Sequence, residues 1–286
     1  MSSLLLIGDS GTLALRNLAP EFVYTRVSTA LDYIKLAGQP HSSLTKFFKY
    51  HIPHVRYAVI SLGGLDIRAH WWKHIPENTV SPEAYIQKRV EDFYQALKTT
   101  ADLYGLEKIV VWGTPPAVHD VQFVPQYPYY GSAITRNIMK HIFSRAFIDC
   151  VDRDIGENRI GYASRFYEYI SPNYQSTPNV PLGDGVHYSH TVTDLLWDTI
   201  NPVVFGDLKN YTGSLFDSMR TDQFEIQTAT VDRTILYNTW VLAAHIKNPH
   251  RYTRKVSLSG ADYHLLNNTD TKDAVPRYTE LCLGIM

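Results

Sequence analysis

The chain of 286 residues sets 27 Lys and Arg against 28 Asp and Glu, a formal charge of −1, so no nucleic-acid partner is expected through a global basic face. With 44% hydrophobic and 19% charged residues the composition is that of a chain that buries a core, not of a disordered one. Two distant cysteines, Cys150 and Cys282, exclude a disulfide scaffold and a Cys-rich zinc site.

The start, Met1 to Ser10, holds only a short apolar run without a basic leader, and no run of about 18 apolar residues follows anywhere. These features predict a soluble protein that is cytoplasmic, or otherwise not exported by a classical signal peptide, with no membrane partner. The N-x-T triplets at Asn210 and Asn267 then read as chance.

Leu4-Leu5-Leu6-Ile7, closed by Gly8, reads as a strand buried on both faces. A second such run spans 57–62 and ends at Gly63-Gly64; a third spans 108–112 and ends at Gly113 and the Pro115-Pro116 pair. Between them Ser81 and Pro82 open a helix with Ile86, Val90, Phe93, Leu97, Ala101 and Tyr104 on one face, and Gly105 stands where a glycine cap belongs.

A further helix is expected from near Ser132 to about Val151, with Ile134, Ile138, Ile142 and Ala146 on one face. A β-type stretch follows at 160–166, then a Pro-, Asn- and Ser-rich loop at 171–183, then a closing helix at 191–200. Buried strands alternating with amphipathic helices predict an α/β fold whose parallel sheet is covered on both faces.

After residue 205 the texture turns β-leaning, at 224–231, 234–244 and 255–258, and helix-capping signals cease. The expected organisation is one domain over 1–205 and a C-terminal extension or small β-containing domain over 206–286, a possible surface for oligomerisation or assembly.

Gly8-Asp9-Ser10 follows the first strand directly, and a helical pattern begins just after it. A serine at a strand-to-helix turn projects beyond the C-terminal edge of the sheet, where open α/β folds bind ligands. Its backbone N–H lies where a developing oxyanion is favoured. The plainer reading is a turn with an N-cap. Asp184-Gly185-Val186-His187 supplies an aspartate three residues before a histidine: the carboxylate can orient one ring nitrogen while the other takes a proton from a serine. Alone, it reads equally as a polar loop.

Together, Gly8-Asp9-Ser10 after the first strand and Asp184-x-x-His187 near the domain's end resemble the SGNH (GDSL-type) hydrolases. The resemblance covers about residues 3–203. It implies a flavodoxin-like three-layer sandwich and the cleavage of acyl esters, with Ser10 as nucleophile, His187 as general base and Asp184 as its orienting partner. It also implies an oxyanion-hole glycine, best matched by Gly38 in Leu36-Ala37-Gly38-Gln39.

The family's Gly-x-Asn-Asp block aligns with Gly63-Gly64-Leu65-Asp66, but Leu65 stands in the asparagine position and donates no hydrogen bond. Gly64, Asp66, Arg68 and His70 are therefore the further oxyanion or substrate-binding candidates, with Arg68 the nearest replacement donor; an Arg68 ion pair with Asp66 is the plainer alternative. The run from Arg68 to His74, with Trp71 and Trp72, is read either as pocket lining or as a loop anchor, and Tyr127 to Tyr130 as a lid or a packed loop. No metal or cofactor motif is present, and no cofactor is implied.

The expected function is a serine-dependent esterase or deacetylase acting on an acylated small molecule or carbohydrate. An acyltransferase, or a non-catalytic SGNH-like scaffold serving as a structural or binding component of a larger assembly, is the alternative.

Overall fold

The computed structural model describes residues 3–15, 23–24, 27–51, 55–71, 81–118, 132–171, 173–183 and 186–210. Strand β1 (Ser3–Gly8) forms where four consecutive aliphatic residues can all be buried: Leu5, Leu6 and Ile7 are within 1% of complete burial. Each such side chain contributes about 1.5–3 kcal/mol relative to exposure. Strands β3 (Val55–Ser61) and β4 (Lys108–Trp112) are of the same kind, and β5 (Ile160–Ala163) closes one edge. At the other edge lies a two-residue strand, β2 (Val23–Tyr24), paired with Leu6 and Ile7. The sheet is parallel throughout, in the order β2-β1-β3-β4-β5.

Helices cover both faces. On one lie α1 (Ala30–Leu36), α3 (Pro82–Tyr104) and α4 (Ala133–Arg153), with α2 (Ser43–His51) beside α1; α5 (Thr193–Phe205) packs over β3, β4 and β5. Strand alternation divides β5 between them. Tyr162 meets Phe147 of α4 at 5.4 Å between ring centroids, whereas the α-carbon of Gly161 sits against Val203 of α5. This is the three-layer, flavodoxin-like architecture expected from the alternating pattern.

The capping signals act as read. Ser81 accepts the Ala84 N–H at 3.1 Å to start α3, and Gly105, at φ 64°, ends it; Ser132 accepts the Thr135 N–H at 3.1 Å to start α4. Two local readings change. The β-type run expected at 160–166 stops at Ala163, because the Ser164 hydroxyl accepts the Phe166 N–H at 3.1 Å and turns the chain into a 3-10 helix at Phe166–Tyr169. The helical pattern after Ser10 is a 3-10 helix, Ser10–Leu15. Strand β2 and helices α1 and α2 have no counterpart in the sequence reading: β2 has two residues, too few to show a period, whereas α1 and α2 begin at the capping residues Thr29 and Ser42, a signal that reading passed over.

Packing on the sheet continues past residue 205. Lys108 Nζ donates to the Gly206 carbonyl, and buried Leu208 donates its N–H to Asn158 Oδ1 at 2.9 Å. Residues 211–286, with the three anticipated strands, lie outside the described residues.

The order of the sheet fixes where a cleft opens. From β1 the chain runs to β2 on one side, then crosses back to β3 on the other, so the connections leaving β1 and β3 part at the C-terminal edge. Ligands bind in open α/β sheets at such a switch point.

Candidate active site

Two glycines shape the ends of these strands. Gly8 has φ 151°, and a Cβ there would lie 2.1 Å from the Ser61 carbonyl oxygen, so only glycine lets β1 end against β3. Gly63 has φ 102°, and a Cβ would press the Phe143 ring at 3.0 Å.

Immediately after Gly8, Asp9 Oδ1 accepts the Gly11 N–H at 2.7 Å while its carbonyl accepts from the Thr12 backbone and hydroxyl. That turn holds Ser10 at the sheet edge. Burial raises the Asp9 carboxyl above its ordinary range, opposed by the Gly11 hydrogen bond and by its electrostatic interactions with His187 and Arg68.

His187 arrives from the far end of the domain. Leu182 pairs with Tyr188, and the Gly183 N–H donates to the His187 carbonyl at 3.0 Å. The buried Tyr188 ring lies 5.9 Å from that of Trp112 at the end of β4. A further tie joins the two motif regions: Thr193 at the start of α5 donates to the Ala14 carbonyl at 2.7 Å. The result is a distance of 2.6 Å between Ser10 Oγ and His187 Nε2, across 177 positions of sequence. A hydroxyl at that distance can pass its proton to the ring as it attacks. Asp184 and Gly185 lie outside the described residues.

The chain leaving β3 turns at Gly63-Gly64, as the glycine pair suggested, and enters a π-helix at Asp66–His70, a device frequent at functional sites. Gly64, Leu65 and Arg68 line a cleft of about 680 Å³, open solvent at its mouth included, together with Asp9, Gly11 and His187.

Asp66 points elsewhere: it is fully buried, and its Oδ2 accepts the Ala30 N–H at 2.7 Å. Gly38 sits beside Thr99 of α3, and His70 is half-buried at the end of the π-helix; among the described residues that line the cleft, neither is found. Trp71 is buried and packs on Tyr85 and Phe143, so within the aromatic run it serves as an anchor. Trp72 and Tyr127 to Tyr130 lie outside the described residues.

The cleft also holds residues that the sequence did not single out. Trp112 and Thr114 come from the end of β4, and Arg136 and Lys140 come from α4. The helix was read from one isoleucine face, but it is buried almost all round from Thr135 to Ser144. Two cations one turn apart in such a helix were the available signal. Among the described residues no group of three His, Cys, Asp or Glu side chains is placed to hold a metal ion, and no helix is long and apolar enough to cross a membrane.

No family model and no curated protein matches the chain. Solved structures do resemble it. A structure from Streptococcus pneumonia, provisionally assigned as a platelet activating factor, is 16% identical over 70% of this chain and 82% of its own, with a TM-score of 0.46. An aryl esterase from M. smegmatis is 14% identical over 70% of this chain and 99% of its own, at 0.40. A carbohydrate acetylesterase from Sinorhizobium meliloti is 15% identical over 70% and 96%, also at 0.40.

Proposed function

We propose that the chain is a serine-dependent ester hydrolase, a divergent relative of the SGNH hydrolases. The observation that carries this reading is the 2.6 Å approach of Ser10 Oγ to His187 Nε2 at the sheet's switch point. Ser10 Oγ attacks the acyl carbonyl carbon as His187 Nε2 takes the hydroxyl proton. The tetrahedral intermediate collapses with cleavage of the ester C–O bond, and the leaving alkoxide takes that proton. Water, deprotonated by the same nitrogen, then releases the acyl group as a carboxylic acid and restores Ser10. Asp184 is assigned to hold the imidazole.

Leu65 offers no donor to the oxyanion. In this reading the Ser10 amide and the Arg68 guanidinium supply the stabilisation, since Arg68 lines the same cleft and a charged donor serves at least as well as a neutral amide. The substrate class is an acylated small molecule or carbohydrate. Leu65 at the cleft wall is also the one observation that favours a non-catalytic scaffold.

Stopped-flow hydrolysis of 4-nitrophenyl acetate separates the two. An enzyme of this kind releases a burst of nitrophenol stoichiometric with protein, followed by slower turnover. A folded protein with neither burst nor turnover overturns the enzymatic reading in favour of the scaffold.

A further inference from the structure

Ser61 ends β3 with a hydroxyl in a run that is otherwise apolar. Ala58, Val59, Ile60 and Leu62 are all within 1% of complete burial, and Ser61 itself is 3% exposed. It lines the cleft together with Asp9, Gly11 and His187. Among the described residues no group takes or gives a hydrogen bond at its hydroxyl. A nearly buried hydroxyl without a partner is destabilising, and alanine would fill the position without that cost. Packing alone therefore does not account for a serine here.

The hydroxyl faces the turn that carries the nucleophile. Gly11 has no left-handed φ to require glycine; what requires it is space. A Cβ on Gly11 would fall 2.7 Å from Ser61 Oγ and 2.9 Å from Asp9 Oδ1. The missing side chain thus leaves Ser61 Oγ directly against the backbone that follows Ser10.

The main chain of Ser61 is fixed to the same turn. Ser61 is in register with Gly8 in the β1–β3 ladder, and its carbonyl accepts the Asp9 N–H at 3.3 Å. A hydroxyl anchored in this way has little freedom to lose on meeting a ligand.

Attack by Ser10 moves the carbonyl π pair onto oxygen, so negative charge develops beside this turn. Leu65, four residues further along the chain that leaves β3, has no donor to offer it. A donor already in place where charge develops needs no reorganisation at the moment of reaction. We infer that Ser61 Oγ donates a hydrogen bond to the oxyanion formed at Ser10, alongside the Ser10 amide and Arg68. Its proton stays on Ser61 throughout; the hydrogen bond strengthens as the charge builds and relaxes when the ester C–O bond breaks. The inference deepens the hydrolase reading and rests on it.

Ser61→Ala, which removes a single oxygen atom, is the test. Because the hydroxyl has no partner to lose, the variant should unfold thermally at the wild-type midpoint or above it. On 4-nitrophenyl acetate its kcat should fall by about 10²-fold, with a much smaller change in KM. Its affinity for phenylboronic acid should fall by a similar factor, since the boron accepts the Ser10 oxygen and becomes a tetrahedral anion.

A folded Ser61→Ala protein with wild-type kcat overturns the donor role and leaves the hydrolase reading standing. A loss confined to KM does the same, because it makes Ser61 a ground-state contact. A kcat loss that comes with a midpoint lowered by several degrees would mark Ser61 as a packing residue and also overturns the inference. Wild-type protein that neither hydrolyses the ester nor binds the boronic acid overturns both readings together.

Discussion

Asp66, at the start of the π-helix that follows β3, accepts the backbone N–H of Ala30 at 2.7 Å with Oδ2 and thereby ties the first turn of α1 to the site wall. Thr29 caps the same turn by accepting the Asp32 N–H at 2.9 Å. A seven-residue helix is too short to be stable on its own, so α1 owes its position to this pair of anchors. The plainer expectation for Arg68, an ion pair with Asp66, is not what the carboxylate does: its Oδ2 binds a helix N-terminus, and its buried Oδ1 has no hydrogen-bond partner.

Burial pushes the Asp66 carboxyl up to about 7 from 3.8, against the backbone hydrogen bonds of Ala30 and Leu31. The folded state thus keeps a proton that the unfolded chain releases near pH 4. The stability that this group contributes is full below about pH 4, falls as the pH rises towards 7, and is level beyond it. Asp66→Asn should remove that fall, which amounts to a few kcal/mol. Urea unfolding at pH 5 and pH 8 checks it: the wild type should lose stability between the two relative to the variant, and parallel profiles would refute the assignment.

Gly8→Ala should fail to fold or lose on the order of 3 kcal/mol, because its Cβ would meet the Ser61 carbonyl oxygen at 2.1 Å. Asn137→Ala should cost about 1–3 kcal/mol by stranding the buried Ala117 N–H that the Asn137 side chain accepts, whereas the Ala117 carbonyl keeps the Ser176 hydroxyl as a donor. Thermal unfolding measures both, and near-wild-type midpoints would contradict the packing described.

Much of this was legible in the sequence, and the exceptions share a cause. The strands β1, β3 and β4 and the helices α3 and α4 announce themselves through continuous apolar runs or capped periodic faces. Ser10 and His187 were legible because each sits beside a local marker, a strand-ending Gly-Asp-Ser and an Asp-x-x-His. The role of Asp66 was not, because a carboxylate that caps a helix 36 residues earlier leaves no local pattern. Arg136 and Lys140 were missed for a related reason: which faces of α4 are buried is decided by β5, α3 and the connection beyond β4, not by α4 itself.

Arg68→Ala should lower kcat by about 10²-fold with a smaller change in KM, the pattern of a donor that acts in the transition state. Steady-state kinetics on 4-nitrophenyl acetate reads this directly. An unchanged kcat would remove Arg68 from the oxyanion site.

Ser10→Ala and His187→Ala should each remove nearly all turnover, and the double variant should be little worse than either, because a nucleophile and its base act as a unit. Losses that multiply would point to a different nucleophile.

The most direct test of the account is reaction of the folded, full-length protein with a fluorophosphonate, read by intact mass and peptide mapping. The account predicts one phosphonyl adduct per chain, on Ser10, abolished by Ser10→Ala and slowed by His187→Ala. A folded protein that takes up no adduct, or takes it up on another residue, would contradict the assignment of Ser10 as the nucleophile.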